Sequence, residues 1–526
     1  MALPRKSLLP YSSLEQEFMS KFKIRVLCAA FAAGLAGSLV AAPAFAADKS
    51  ERVIVKFKAG AFAKGRAELA ARGGKTVLNL SEFNAVAARL SPAAIKLLKK
   101  SSLVEFIEPD YQQHTMAVSE VVPYGIPMVQ ADQLSDAGTS GLTLCIVDSG
   151  IDGSHPDHAG NKLAGENFTT SGAWNTDENG HGTHVAGTVA AVGGNGMGVV
   201  GVLPNKNINL YIAKVFDASG SAPSSTIAKA MWACSKNGNA NVISMSLGGS
   251  GASKLQGLVA KLLARRGVMM FAAAGNNGTS SISYPAGFPE VISVAAVDAA
   301  KAHADFSQFN ATVEIAAPGV LTLSTVPQGT ALVATTTVGA SGYESLAMEG
   351  SPSSPASAAL YDFGTGEADD AGVAGKVCLI QRGNISFSDK VLRCQANGGV
   401  GAIVYNNEPA LFAGTLGGVA TAIPSVSVSG TDGATMLTQL GQTASMSFAI
   451  GDYDFFSGTS MATPHASAVG ALVWGNHPSC TAEEIRASLN KSAEDLGAVG
   501  RDDEFGNGLI QAKAASDRIT SMGCGN

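Results

Sequence analysis

From Gly141 to Asp298 the chain alternates short apolar runs with helix-patterned segments. The runs are LTLCIVDSG, NLYIAKVFD, ANVISMSLGG, VMMFAAAGN and EVISVAAVD. Between them lie GHGTHVAGTVAAV, TIAKAMWACSKNG and KLQGLVAKLLARRG. Apolar, β-branched runs without polar alternation suit strands buried on both faces, and a helix between consecutive strands is the crossover that parallel pairing needs. The expected fold class is therefore α/β, with a doubly wound, mainly parallel sheet. In such sheets ligands gather beyond the carboxyl ends of the strands, so the polar residues closing these runs are the first site candidates. They are Asp148, Ser246 to Gly248, and Asn276.

Two other textures flank this pattern. Residues 51 to 111 read as a small α+β unit: strands in ERVIVKFK, KTVLNL, NAVAARL and LVEFIEPDY, helices in KGRAELAARG and SPAAIKLLKKS. The following QQHTMAVSEVVPYG has no periodicity and reads as a linker. Between about 330 and 450 the chain turns rich in Thr, Ser, Ala and Gly, with short strands KVCLIQRG, GAIVYNN and SVSVS, before sheet-type sequence resumes. That middle stretch reads as an insertion, and two or three domains suit the chain's 526 residues.

The formal net charge of −6 argues against a nucleic-acid partner, and the charge is unevenly spread. Residues 1–116 hold 17 basic and nine acidic side chains, whereas 117–526 hold 19 and 33. Part of the basic head is an address: Lys21, Lys23 and Arg25 precede VLCAAFAAGLAGSLVAA, which closes on Ala44-Phe45-Ala46. This predicts a secretory signal peptide over 1–46, with Met19 a better start than Met1, an extracellular product and no membrane contact after the leader is removed. Cys28 leaves with the leader. The six remaining cysteines suggest bridges outside the cytosol, Cys378–Cys394 and Cys480–Cys524 by proximity and context, with Cys145 left to Cys234 or both of these as buried thiols.

GTSMATPH, residues 458–465, opens an apolar helix. Ser460 stands at its N-terminus, where free N–H groups favour developing negative charge, and Pro464 is expected within the first turn, where its missing N–H costs little. Position alone describes an N-cap serine, the commoner reading of such a residue. A nucleophile needs a base and an orienting acid. His181, opening a helix in NGHGTHVAGT, and Asp148, closing a strand in CIVD, supply them in the chain order Asp, His, Ser.

DSGID, HGTHVAGT and GTSMATPH together resemble the three catalytic motifs of the subtilisin-like serine proteases, over roughly 47–329 and 451–526. The resemblance implies a secreted, monomeric endopeptidase acting on protein and peptide substrates through Asp148, His181 and Ser460. Asn276 in AAAGNNG would supply an oxyanion donor beside the Ser460 N–H. Ser246, Leu247 and Gly248 would pair with substrate main chain. Ala273 to Gly275 and Ser283 would shape a pocket that, lacking Asp or Glu, prefers apolar or neutral side chains. His184, Asp152 and His465 read as structural neighbours.

The resemblance also implies a structural Ca2+ ion, held by Asp157, the side chain of Asn195, the carbonyls of Val192, Met197 and Val199, and Glu120. This loop is one residue longer than the family's shortest form. Residues 47–116 would be an inhibitor and chaperone propeptide cleaved at Met116–Ala117, and 117–329 with 451–526 the catalytic domain. His181 and Ser460 lie farther apart than the roughly 157 residues of minimal family members, by about 122. The excess matches 330–450, where GKVCLIQRGNISFSDKVLRCQANGGVGAIVYNN resembles the protease-associated, or PA, domain and suggests a mainly-β insert. A catalytically silent binding protein would have lost a triad residue, and an esterase would show a nucleophile elbow and the order Ser, Asp, His; neither sign is present.

Overall fold

The computed structural model of the chain describes residues 50–110 and 120–526. The expected leader with Met19 and Cys28, and the Met116–Ala117 bond, lie outside them. The chain divides into two units, ending at Thr115 and beginning at Met116.

In the first unit strands β1 (Glu51–Phe57), β2 (Lys75–Leu80), β3 (Ala85–Leu90) and β4 (Val104–Pro109) form a sheet in the order β2-β3-β1-β4, with helices α1 (Phe62–Ala71) and α2 (Pro92–Leu98). The Ser91 hydroxyl caps α2 by accepting from the Ala94 N–H, and Pro92 fits the first helical position. Val55, Phe57, Leu69, Val86, Leu90 and Leu98 make the core. Leu78, Phe83 and Phe106 remain exposed.

The second unit begins with a short helix α3 (Gly125–Met128) and builds its main sheet from β5 (Thr143–Asp148), β6 (Lys162–Asn167), β7 (Asn209–Lys214), β8 (Val242–Met245), β9 (Met269–Ala273), β10 (Ile292–Val297) and β11 (Val313–Pro318). The order is β11-β10-β9-β8-β5-β7-β6, and every pair is parallel. The intervening helices are α4 (His181–Ala190), α5 (Ser224–Lys236) and α6 (Lys254–Arg265). Chain order reverses at β5, which lies between β8 and β7, and this opens the crevice that such sheets use as a site.

Strand β12 (Thr322–Thr325) leads out of this sheet into the insert. There β13 (Ala331–Val338), β14 (Ser341–Tyr343), β15 (Leu346–Ala347), β16 (Ala356–Asp362), β17 (Val377–Gln381), β18 (Gly401–Tyr405), β19 (Ser425–Val428) and β20 (Thr443–Gly451) form a second sheet, accompanied by α7 (Phe387–Ala396) and α8 (Gly430–Leu437). Strand β21 (Tyr453–Phe456) returns antiparallel to β12, just as β20 pairs with β13, so the insert is joined by a continuous two-stranded ribbon.

Helix α9 (Thr459–Asn476) follows, then α10 (Ala482–Ser492) and α11 (Ala512–Met522). Of the α9 residues up to Gly475, all but Ser460 are buried, so its apolar surface runs all round the helix. It packs with α4 on one face of the sheet, while α5 and α6 cover the other. All three expected cysteine pairs are joined: Cys145–Cys234, Cys378–Cys394 and Cys480–Cys524.

Candidate active site

Asp148 is the last residue of β5 and fully buried. Its Oδ1 accepts from the Ser149 N–H at 2.8 Å and lies 2.7 Å from His181 Nδ1 at the start of α4. Nδ1 therefore carries the proton and Nε2 is left as the basic nitrogen. The His181 side chain stays 28% exposed. Burial opposes its charged form, but Asp148 and, more weakly, Asp177 favour it, and the balance raises its pKa above the ordinary 6.5.

Two residues that sequence reasoning passed over hold this pair together. Asp177 is buried and accepts from the Ser149 hydroxyl at 2.8 Å, the Gly180 N–H at 2.9 Å, and both the N–H and hydroxyl of Thr183, at 2.8 and 2.6 Å. One carboxylate thus ties the segment after Asp148 to the first turn carrying His181. Lys214 is fully buried at the end of β7, beside Asp148 in register, and donates to the carbonyls of Ser149 and Thr176 and to Glu178. Asp177 looked like one polar residue in a polar loop, and Lys214 like the tail of an apolar strand. Neither sequence context carries a signal of the partner it reaches.

Ser460 is the second residue of α9, behind the N-cap Gly458, so it caps nothing. Pro464 lies at the sixth helical position, beyond the first turn where it was expected, because the helix starts as early as Thr459. At that depth its missing N–H deprives the Ser460 carbonyl of its helical donor. The Ser246 hydroxyl donates to that carbonyl instead, at 2.7 Å, and the Ser460 hydroxyl donates to the Ser246 carbonyl at 3.2 Å. The hydroxyl is thus turned to Ser246 and makes no hydrogen bond to His181 in this structure. His181 and Ser460 border one cavity, together with Asn276 and Met461.

Asn276 accepts through Oδ1 from the N–H and hydroxyl of Thr459, each at 2.8 Å, which leaves its Nδ2–H2 as the free end. The Ser460 N–H has no acceptor among the described residues. Gly275, just before Asn276, has φ +115°, and a Cβ there would meet Gln308 Oε1 at 1.5 Å, so only glycine fits. A cavity of about 290 Å³ opens beside Ser460, lined by Leu247, Gly248, Ala273, Gly275 and Ser283 among others and by no charged side chain. A second, of about 640 Å³, continues past His181, Ser246 and Leu247 and is also free of Asp, Glu, Lys and Arg.

The neighbouring histidines are neutral packing groups. His184 stacks on Phe456 at 4.3 Å and donates from Nε2 to the Thr322 carbonyl, and burial pushes its pKa down to about 3. His465 donates from Nδ1 to the Met461 carbonyl, and burial lowers it to about 4. Asp152 accepts from Ser154 and from the Gln328 N–H, bracing its loop.

Away from the cleft, buried Asp157 accepts from Asn195 Nδ2 at 2.6 Å and the Val199 N–H at 2.9 Å, and Glu120 accepts from the Asn195 N–H. Gly198 has φ +61°, and a Cβ there would meet Asp157 Oδ2 and the Tyr453 hydroxyl, each at 2.1 Å. Among the described residues nothing donates to the carbonyls of Val192, Met197 or Val199. No group of three or more His, Cys, Asp or Glu side chains with metal-binding spacing occurs among those residues. The loop's remaining valence is therefore neutral oxygen around one buried carboxylate, a donor set that fits a hard cation such as Ca2+.

Residues 139–360 and 399–508 match the profile of the subtilase family, and 336–436 that of the PA domain. Subtilisin E of Bacillus subtilis (strain 168) is 41% identical over 302 residues, which cover 54% of this chain and 76% of that protein. The alkaline protease of Alkalihalobacillus alcalophilus is 40% identical over 257 residues, 48% of this chain and 65% of its own. Among solved structures, the psychrophilic subtilisin-like protease Apa1 from the Antarctic psychrotroph Pseudoalteromonas sp. AS-11 superposes with a TM-score of 0.65 at 39% identity, covering 78% of this chain and all of that one.

Proposed function

The chain belongs to the subtilase family of serine endopeptidases and carries an inserted PA domain, and from that premise we propose that Asp148, His181 and Ser460 are the catalytic triad of a secreted, self-processing enzyme of broad specificity. The observation that carries the assignment is the 2.7 Å contact of His181 Nδ1 with buried Asp148, on a cavity that also reaches Ser460.

A serine hydroxyl is a weak nucleophile near neutral pH, so Ser460 Oγ attacks the scissile carbonyl as His181 Nε2 takes its proton. Asp148 holds the tautomer and stabilises the imidazolium without accepting the proton. The tetrahedral oxyanion lies between Asn276 Nδ2 and the Ser460 N–H, at the positive end of α9. As the intermediate collapses, His181 returns the proton to the leaving amine, and the acyl group stays on Ser460 until water, activated by the same imidazole, releases it. The substrate strand pairs along Ser246 to Gly248, and the uncharged 290 Å³ cavity takes an apolar or neutral side chain before the scissile bond.

Residues 47–116 act as inhibitor and folding assistant, 117–329 and 451–526 as the catalytic domain, and 330–450 as the PA insert. Asp157, Asn195 and the carbonyls of Val192, Met197 and Val199, with Glu120 adjoining, would hold a calcium ion, which when bound supplies charge that fixes this loop and takes no part in the reaction. Secretion is supported by the leader pattern and by three disulfides, which persist in oxidising compartments. No helix among the described residues is long and apolar enough to cross a membrane. The test is one labelled serine per chain with a fluorophosphonate, and casein turnover set beside a short ester, both abolished in Ser460→Ala. Labelling without casein turnover, or casein turnover surviving Ser460→Ala, overturns the proposal.

A further inference from the structure

The insert contributes one wall of the cleft. A cavity of about 610 Å³ is bordered by His181, Asn276, Ser460 and Met461 on one side and by residues 346–351 and 413–415 of the insert on the other. Ser460 borders both this cavity and the 290 Å³ one, and His181 borders both this cavity and the 640 Å³ one. A peptide lying across the nucleophile has two halves. With the acyl half along Ser246 to Gly248, as proposed above, the half that departs with the amine has the insert-walled cavity to occupy.

The two sides differ in charge. The acyl-side cavities are lined by no Asp, Glu, Lys or Arg. The residues lining the insert-walled cavity include two acidic ones, Glu349 and Asp454, and no Lys or Arg. Glu349 has a fixed backbone: its N–H donates to the Gly414 carbonyl, and its carbonyl accepts from the Leu416 N–H, both at fixed points on a loop of the insert. It follows Met348, which is buried in the insert core, yet is itself exposed. Its carboxylate makes no hydrogen bond or ion pair among the described residues. Asp454 is half-buried on β21, accepts from the Phe455 N–H, and is pushed by burial toward its neutral form, so it is the weaker of the two charges. The β12–β21 ribbon that holds this wall is itself anchored on α4, where the Ser324 hydroxyl donates to the His184 carbonyl and His184 donates to the carbonyls of Thr322 and Asp454.

We propose that the insert forms a leaving-group subsite that selects for Lys or Arg within the first three residues after the scissile bond, with Glu349 as the specificity-determining residue. The inference rests on the serine-endopeptidase reading of the triad. The pairing draws on an unpaired carboxylate in a walled cleft, where opposite charge attracts and like charge repels, so the contrast between a basic and an acidic substrate is about twice that of either against alanine.

The test uses internally quenched peptides identical on the acyl side and carrying Arg, Ala or Glu at the first, second or third position after the bond. The wild-type enzyme is expected to favour Arg over Glu by about tenfold in kcat/KM at one of these positions, Glu349→Gln to reduce the ratio to about twofold, and Glu349→Arg to invert it. Glu349 is exposed, so a thermal midpoint verifies that each variant is folded. A flat wild-type profile, or a ratio that survives Glu349→Gln, overturns the proposal; so does a ratio abolished by Asp454→Asn and untouched at Glu349. Fluorophosphonate labelling separates the two levels: a labelled, active enzyme with a flat profile removes the subsite alone, whereas an unlabelled and inactive one removes the protease reading beneath it.

Discussion

Ser246 and Ser460 exchange hydrogen bonds, the Ser246 hydroxyl donating to the Ser460 carbonyl at 2.7 Å and the Ser460 hydroxyl to the Ser246 carbonyl at 3.2 Å. The first bond exists because Pro464, four residues on, has no N–H to offer that carbonyl. Strand end and nucleophile helix are thereby fixed to each other across the cleft. Ser246→Ala leaves the carbonyl without a donor and is expected to cost about 1–3 kcal/mol. With Pro464→Ala the helical N–H returns, and the same Ser246→Ala change should then cost under about 1 kcal/mol. Denaturant midpoints measured in a Ser460→Ala background, which keeps the carbonyl and stops self-digestion, read the difference; equal costs in both backgrounds sink the explanation.

With His181 as the proposed base, the charge around it should set the acid limb of activity. Proton transfer from Ser460 needs the neutral imidazole, and Asp148 raises the pKa of His181 above 6.5 against the opposing effect of burial. The limb of kcat/KM should therefore lie above pH 6.5, rising with pH. Asp148→Asn should move it to lower pH while cutting kcat by about 10⁴, the magnitude of the same substitution in a chymotrypsin-type triad. The same shift has a stability sign: a folded state that binds the proton more tightly gains from it fully below pH 6.5, and loses that gain as pH rises through the raised value. An acid limb unmoved by Asp148→Asn would contradict this electrostatic account.

How much of this was legible in the sequence depends on the distance over which each residue acts. Asp148, His181 and Ser460 stand at strand and helix ends, where local pattern marks the position and the motif marks the chemistry. The parallel sheet was legible because buried strands and crossover helices differ in period and length. Asp177 and Lys214 act through partners brought close only by the fold, and the residues around them are an ordinary polar loop and an ordinary strand end. Pro464 was misjudged by the length of the helix before it, since the first helical residue is set by Asn276 accepting from the Thr459 N–H, 183 positions away. The insert's composition announced a separate unit, but nothing in it told that residues 346–351 would face the cleft.

Calcium should stabilise the Asp157 and Asn195 loop by mass action, since an ion that binds only the folded site adds about 2.7 kcal/mol at a concentration 100 times its Kd. Chelation is expected to lower the thermal midpoint, and Asp157→Asn, by replacing the buried carboxylate with a neutral amide, to abolish the difference between calcium and chelator. Differential scanning calorimetry of the Ser460→Ala protein avoids autolysis. Coincident midpoints with excess calcium and with chelator remove the ion from this loop.

On the proposed reading, the site that would cut residues 47–116 away assembles late and would gain from a folding assistant. Ser460 meets Ser246 across 214 positions of chain, after the whole insert has been made, and contacts so distant in sequence form only once large loop-closure costs are met. A preformed partner that binds the emerging body lowers that barrier. Residues 47–116 hold 12 basic and seven acidic side chains, whereas 117–526 hold 19 and 33, so opposite charge favours association of the segment with the emerging body. Met116 is apolar and suits an uncharged pocket, so the cut is expected at Met116–Ala117, within about two residues either way. Ser460→Ala should fold yet remain one uncut chain, and wild type made without 47–116 should fold poorly until that segment is added in trans. N-terminal sequencing decides: an Ser460→Ala protein produced alone and purified with its N-terminus at 117 shows that another protease makes the cut.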